Sequence, residues 1–123
     1  MRVLVATDRA DLGGALTLFL SERHVHVLDV LDEADDVLAR AHSERPDVVL
    51  VDWRLGEAAS LRVVAELMRC DDPTPVVILS TPQERPRARE TGAAACVTLG
   101  DPPDALLVCL HELDPDAPPD SPA

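Results

Sequence analysis

The chain has 123 residues, enough for one domain with one full hydrophobic core, and a second, output-type domain is not expected within it. Its 23 acidic against 11 basic residues leave a net charge of -12, which would repel a phosphate backbone or an anionic membrane and so argues against direct nucleic-acid or membrane binding. No window approaches the roughly 18 apolar residues of a membrane span, and the opening Met1-Arg2-Val3-Leu4-Val5-Ala6 is too short for a signal peptide, so a cytoplasmic protein is expected.

In chain order, Val3 to Ala6 form a first short apolar run ending at Thr7-Asp8. Asp11 then precedes Leu12, Ala15, Leu16, Phe19 and Leu20 at helical spacing. Val25, Val27 and Val30 suggest a second strand, and Ala34, Val37, Leu38 and Ala41 a second helix that Pro46 terminates. The run Asp47-Val48-Val49-Leu50-Val51-Asp52 reads as a strand buried on both faces, as in the middle of a parallel sheet. Leu61, Val64, Ala65 and Met68 give the third helix, broken by Pro73 and Pro75, and Val76 to Ser80 a fourth strand. Between Ser80 and Gly92 the charges leave Ala88 as the single apolar residue, so a short helix near Pro86 or a loop is expected. Ala94 to Leu99 is a fifth strand, and Pro102 to Leu113 a last helix with proline in its first turn. Residues 1–113 thus form the domain, and the Pro- and Asp-rich tail 114–123 is expected to be disordered. Strand and helix alternate, which predicts a five-stranded parallel α/β sheet with helices on both faces. Cys70, Cys96 and Cys109 form no C-x-x-C pair and are expected as small buried hydrophobes.

Three polar residues fall at C-terminal strand ends, Asp8, Asp52 and Ser80, the edge where open α/β sheets build their sites. Two carboxylates there can share a hard cation such as Mg²⁺, and a hydroxyl can donate to a phosphoryl oxygen. Singly, each also fits a turn or a helix cap. No glycine-rich phosphate cradle follows the first strand, because Gly13-Gly14 already lie within the helix, and His24, His26, His42 and His111 have no ligand spacing. An enzyme is not expected.

Residues 1 to about 113 resemble the receiver domain of bacterial two-component response regulators. The matching pieces are Val5-Ala6-Thr7-Asp8, Val49-Leu50-Val51-Asp52-Trp53-Arg54-Leu55, Ile78-Leu79-Ser80-Thr81 and Thr91-Gly92-Ala93-Ala94. The resemblance implies a flavodoxin-like fold with strand order 2-1-3-4-5. It further implies that Asp52 accepts a phosphoryl group from a histidine kinase, that Ser80 binds that group, and that Asp8, Asp52 and the backbone carbonyl of Arg54 hold Mg²⁺.

The departures from the family pattern are specific. Thr7-Asp8 stands where two consecutive acids are usual, and Leu99-Gly100 where the family has lysine and proline. An ammonium about 4 Å from a phosphoryl oxygen is worth roughly 4 kcal/mol at an effective dielectric of about 20, before desolvation, and Leu99 supplies none of it. Gly56 replaces a common proline, and Cys96 holds the aromatic switch position. The expectation is therefore a stand-alone, atypical receiver with weak or absent Mg²⁺ binding. It would signal by protein-protein contact to a histidine kinase or other signalling protein, with weak or no phosphorylation. The alternative is a working phosphoacceptor at Asp52. The six apolar residues Ala105 to Leu110 go right round the last helix at about 100° per residue. That pattern points to a homodimer through Leu106, Leu107, Val108 and Leu110, or to a partner on that face.

Overall fold

The apolar runs become five strands and the periodic stretches five helices: β1 Arg2–Ala6, α1 Ala10–Ser21, β2 His26–Leu31, α2 Ala34–Glu44, β3 Val48–Asp52, α3 Glu57–Met68, β4 Val76–Ser80, α4 Arg85–Arg89, β5 Ala95–Thr98 and α5 Asp104–Leu113. A 3-10 turn, Trp53–Leu55, follows β3. The computed structural model describes residues 1–116, and the tail expected to be disordered lies, from residue 117, outside the described residues. All strand pairings are parallel in the order β2-β1-β3-β4-β5, the flavodoxin-like arrangement that the resemblance implies.

The side-chain period of two along each strand splits the core into two layers. Leu4, Val49, Val51, Val76 and Ile78 face α2 and α3, where Val37, Leu38, Val63 and Leu67 meet them. Val3, Val5, Val48, Leu50, Val77 and Leu79 face α1 and α5, where Leu16, Leu20, Leu106 and Leu110 meet them. Every residue of β3 and β4 is buried, which is why these two strands read as unbroken apolar runs. Each fully buried Leu, Val or Ile contributes about 1.5–3 kcal/mol from removal of apolar surface from water.

The helix faces differ from expectation in detail. In α1 the buried positions are Gly13, Leu16 and Leu20, while Ala15 is exposed. Gly13 lies inward because α1 packs closely on β2: a Cβ there would stand 2.7 Å from Val30 Cγ1. In α3 the inward stripe is Ser60, Val63, Val64 and Leu67, and Leu61, expected inside, is exposed. Both stripes obey the same spacing, since apolar residues run almost without a break from 61 to 68, and contact with the sheet selects between them. Helix α5 starts at Asp104, after Pro102 and Pro103.

Cys70 is exposed, against expectation, because it lies just past the end of α3, where its thiol donates to the Glu66 carbonyl oxygen at 2.8 Å. Cys96 and Cys109 are half-buried, and burial pushes both thiols above their ordinary range. On α5, Leu106 and Leu110 are core residues at 6% and 2% exposure, so they are not available to a dimer surface; only Val108, at 58%, is an exposed large hydrophobe there. The sinking of one face of α5 into the sheet thus takes two of the four residues assigned to that surface.

Candidate functional site around Asp52

Asp52 ends β3 fully buried, a position that costs several kcal/mol for a carboxylate unless its oxygens find donors. Three donors reach it. The Thr7 hydroxyl donates to Oδ2 at 2.7 Å, Arg9 Nε donates to the same oxygen at 2.9 Å, and the backbone N–H of Arg54 donates to Oδ1 at 3.1 Å. The last bond makes Asp52 the cap of the 3-10 turn, so its carboxylate also fixes the path of the loop that leaves the strand. The register explains the first two: Ala6 pairs with Val51, which brings the residues just beyond Ala6 over the end of β3.

Thr7 is buried, and its hydroxyl works in both directions, donating to Asp52 and accepting from the Arg9 N–H at 3.1 Å. Arg9 precedes α1 without capping it by its side chain, which turns back to Asp52. Its side chain stays 31% exposed while the Asp52 side chain is 1% exposed, and its Nη2 is buried without a partner. The hydrogen bond to Asp52 holds the Arg9 guanidinium above its already high ordinary value against desolvation, helped by the charges of Asp52, Asp11 and Asp8.

The other expected site residues are placed less productively. Asp8 follows β1 but is exposed. Arg54 contributes its amide to Asp52, and its side chain points to solvent. Ser80 is 0% exposed at the end of β4, its Oγ without a hydrogen-bond partner. Leu99 is half-buried and packs with the α1/α5 layer. Gly56 and Gly100, at the two places where the family has proline, have φ of +130° and +99°, values that a pyrrolidine ring cannot adopt.

A divalent cation such as Mg²⁺ asks for several oxygens free to point at one centre. Here one carboxylate already carries three donors, one of them a cation, and the other is turned to solvent. Among the described residues no group of three or more His, Cys, Asp and Glu side chains gathers at one point. The residues as they stand do not fit a resident Mg²⁺.

Sequence reading singled out Asp52 and Ser80, which the structure buries at the ends of β3 and β4, but missed Arg9, because an arginine after a strand ordinarily reads as solvated. It also missed how α4 is held. Thr81 and Glu84 form a reciprocal cap, the Thr81 N–H to Glu84 Oε1 at 2.9 Å and the Glu84 N–H to Thr81 Oγ1 at 3.3 Å, a signal legible in Thr81-Pro82-Gln83-Glu84. Ala88 is buried as the sole apolar anchor of the helix. Arg85 donates to Thr98 Oγ1 at 2.5 Å and Arg87 pairs with Glu57 at 2.9 Å, so two of the charges in this segment are tied down.

A family model described as the response regulator receiver domain matches residues 3–100. The chain is 34% identical over 119 residues to a protein-glutamate methylesterase/protein-glutamine glutaminase of Archaeoglobus fulgidus, covering 92% of this chain and 33% of that one. It is 30% identical over 119 residues to the response regulator GacA of Pseudomonas aeruginosa, covering 92% of this chain and 55% of that one. It therefore spans between a third and about half of these curated relatives. Among solved structures it is similar to the N-terminal signal receiver domain of a two-component system response regulator from Bacteroides fragilis, with TM-score 0.78, 22% identity, and 91% and 94% of the two chains covered.

Proposed function

We propose that this chain, which belongs to the response regulator receiver domain family, signals through protein-protein contact with weak or no phosphorylation of Asp52. The observation that carries this reading is the occupancy of Asp52: it is fully buried, and its Oδ2 is held by both the Thr7 hydroxyl and Arg9 Nε. Phosphoryl transfer to an aspartate needs a carboxylate oxygen in line with phosphorus and positive charge around the three equatorial oxygens. To attack through Oδ2, Asp52 would have to break a charge-assisted bond, and Leu99 offers no cation to the incoming group.

Receiver domains generally bind Mg²⁺ in an acidic pocket; here the binding would be weak or absent, since Thr7 removes one acid and Arg9 neutralises another. The partner is a histidine kinase or another signalling protein. An apolar groove of about 260 Å³ between α1 and the β5–α5 connection, lined by Leu12, Leu16, Phe19, Leu99 and Pro103, offers it a docking surface beside the strand ends. A homodimer through α5 would rest on Val108 and the half-buried Leu107 alone. Neither nucleic acid nor a membrane is a partner in this reading. The net charge of -12 opposes both, and among the described residues no helix is long and apolar enough to cross a bilayer. The protein would act in the cytoplasm, without catalysis of its own.

Incubation with acetyl phosphate and Mg²⁺ followed by intact mass tests the proposal. The expected result is no stoichiometric gain. A gain of one phosphoryl group that disappears in Asp52→Asn would instead establish the alternative, a phosphoacceptor served by a histidine kinase.

A further inference from the structure

We infer that the Arg9 guanidinium is the resident cation of this site, occupying the charge position beside Asp52 and excluding a divalent metal from it. Asp52 is buried as a carboxylate, and among the described residues the cation that meets it is Arg9, at 2.9 Å. Arg9 is not a surface group that has swung in: its Nη2 is buried as well, and its backbone N–H is bonded to the Thr7 hydroxyl that also donates to Asp52. Thr7, Arg9 and Asp52 are thus one closed unit, with Arg9 held at its backbone N–H and at its Nε. A divalent ion within coordinating distance of Asp52 Oδ2 would stand against this guanidinium and be repelled by it, at a range well inside the Debye length, although the Arg9 side chain keeps some contact with water. The second carboxylate that could compensate is missing, because the buried position next to Asp8 is Thr7. Asp8 and Asp11 lend their charge to Arg9 instead.

The inference deepens the proposed function, since a site closed by its own arginine has no use for the metal that phosphoryl transfer to aspartate employs. It is tested without any phosphoryl donor. The 123-residue chain is titrated with MgCl₂ against NaCl of equal ionic strength, reading the emission of Trp53, its single tryptophan and the neighbour of Asp52, and the melting temperature. The wild type should respond no more than Asp52→Asn. Arg9→Ala should gain a saturable Mg²⁺ response at least about tenfold stronger than the wild type, and Asp52→Asn in that background should remove it. Arg9→Gln, which keeps a donor for Asp52 but not the charge, should behave like Arg9→Ala, and it serves if the alanine variant fails to fold by circular dichroism. A wild-type response that saturates and vanishes in Asp52→Asn would overturn the inference. So would folded Arg9 variants no more responsive than the wild type, which would make the missing acid at Thr7 sufficient. Either failure leaves the acetyl phosphate result untouched, and a phosphoryl gain there would overturn the proposed function while leaving the Mg²⁺ comparison to stand or fall alone.

Discussion

At the scale of single residues, the energetics concentrate on one oxygen, Asp52 Oδ2, which accepts from both Thr7 and Arg9. Thr7→Val keeps the shape but leaves a buried carboxylate short of a donor, and should cost about 1–3 kcal/mol. Arg9→Ala should cost a similar amount, about 1–3 kcal/mol, less than for a fully buried pair because the guanidinium is partly solvated. The two losses should not add, since both bonds end on the same atom and Thr7 also holds the Arg9 backbone. A double-mutant cycle by urea denaturation should show a coupling of about 0.5 kcal/mol or more. Strict additivity would mean that the two donors serve Asp52 independently. The residue types explain why this unit was only half legible. A carboxylate closing an apolar strand stands out in a sequence, whereas Thr7 and Arg9 look like ordinary loop residues, and their roles depend on the register of β1 against β3.

At the scale of elements, adjacent glycines in α1 provide a controlled comparison. Both positions would favour alanine by about 0.5–1 kcal/mol in an isolated helix. At Gly14 a Cβ meets nothing within 4 Å, so Gly14→Ala should raise stability by about that amount. At Gly13 it meets Val30 Cγ1 at 2.7 Å, on a stiff β-branched side chain, and Gly13→Ala should be destabilising by about 1–3 kcal/mol in spite of its helix propensity. Thermal melting of the pair should show shifts of opposite sign. The strands were legible because burial on both faces leaves no choice of residue type, as in Val48 to Val51 and Val76 to Leu79. The helix faces were less so. In α3 two apolar stripes coexist, and contact with α2, β4 and the loop after β3 decides that Ser60 and Val63 go in while Leu61 stays out. Helix α4 was legible only as an exception, since a reciprocal cap and one alanine hold a segment that hydrophobic periodicity cannot describe.

At the scale of the whole molecule, the net charge of -12 makes self-repulsion a general load on the folded state. The surface pairs that oppose it, such as Arg40 with Asp29 and Glu44 or Arg62 with Asp35 and Glu66, keep contact with water, and water and salt screen their attraction. Screening should therefore relieve more repulsion than it removes attraction. The urea midpoint should rise as NaCl is increased to about 0.2 M, where the Debye length falls below about 8 Å. A falling midpoint would show that the ion pairs outweigh the excess acid. Strands β1 and β3 are neighbours in the sheet although α1, β2 and α2 separate them in the chain, so the contact between Thr7 and Asp52 spans 45 residues. Pairing β1 with β3 is thus a non-local step, whose loop-closure entropy is lost before its contacts reward it. In the newly synthesised chain, and in every opening that frees β1, Asp52 is a hydrated carboxylate; the fold turns it into a guarded one. Its accessibility to chemical modification is thus a property of time since synthesis and of opening rate, and hydrogen exchange at the β3 amides is the clock that reports it.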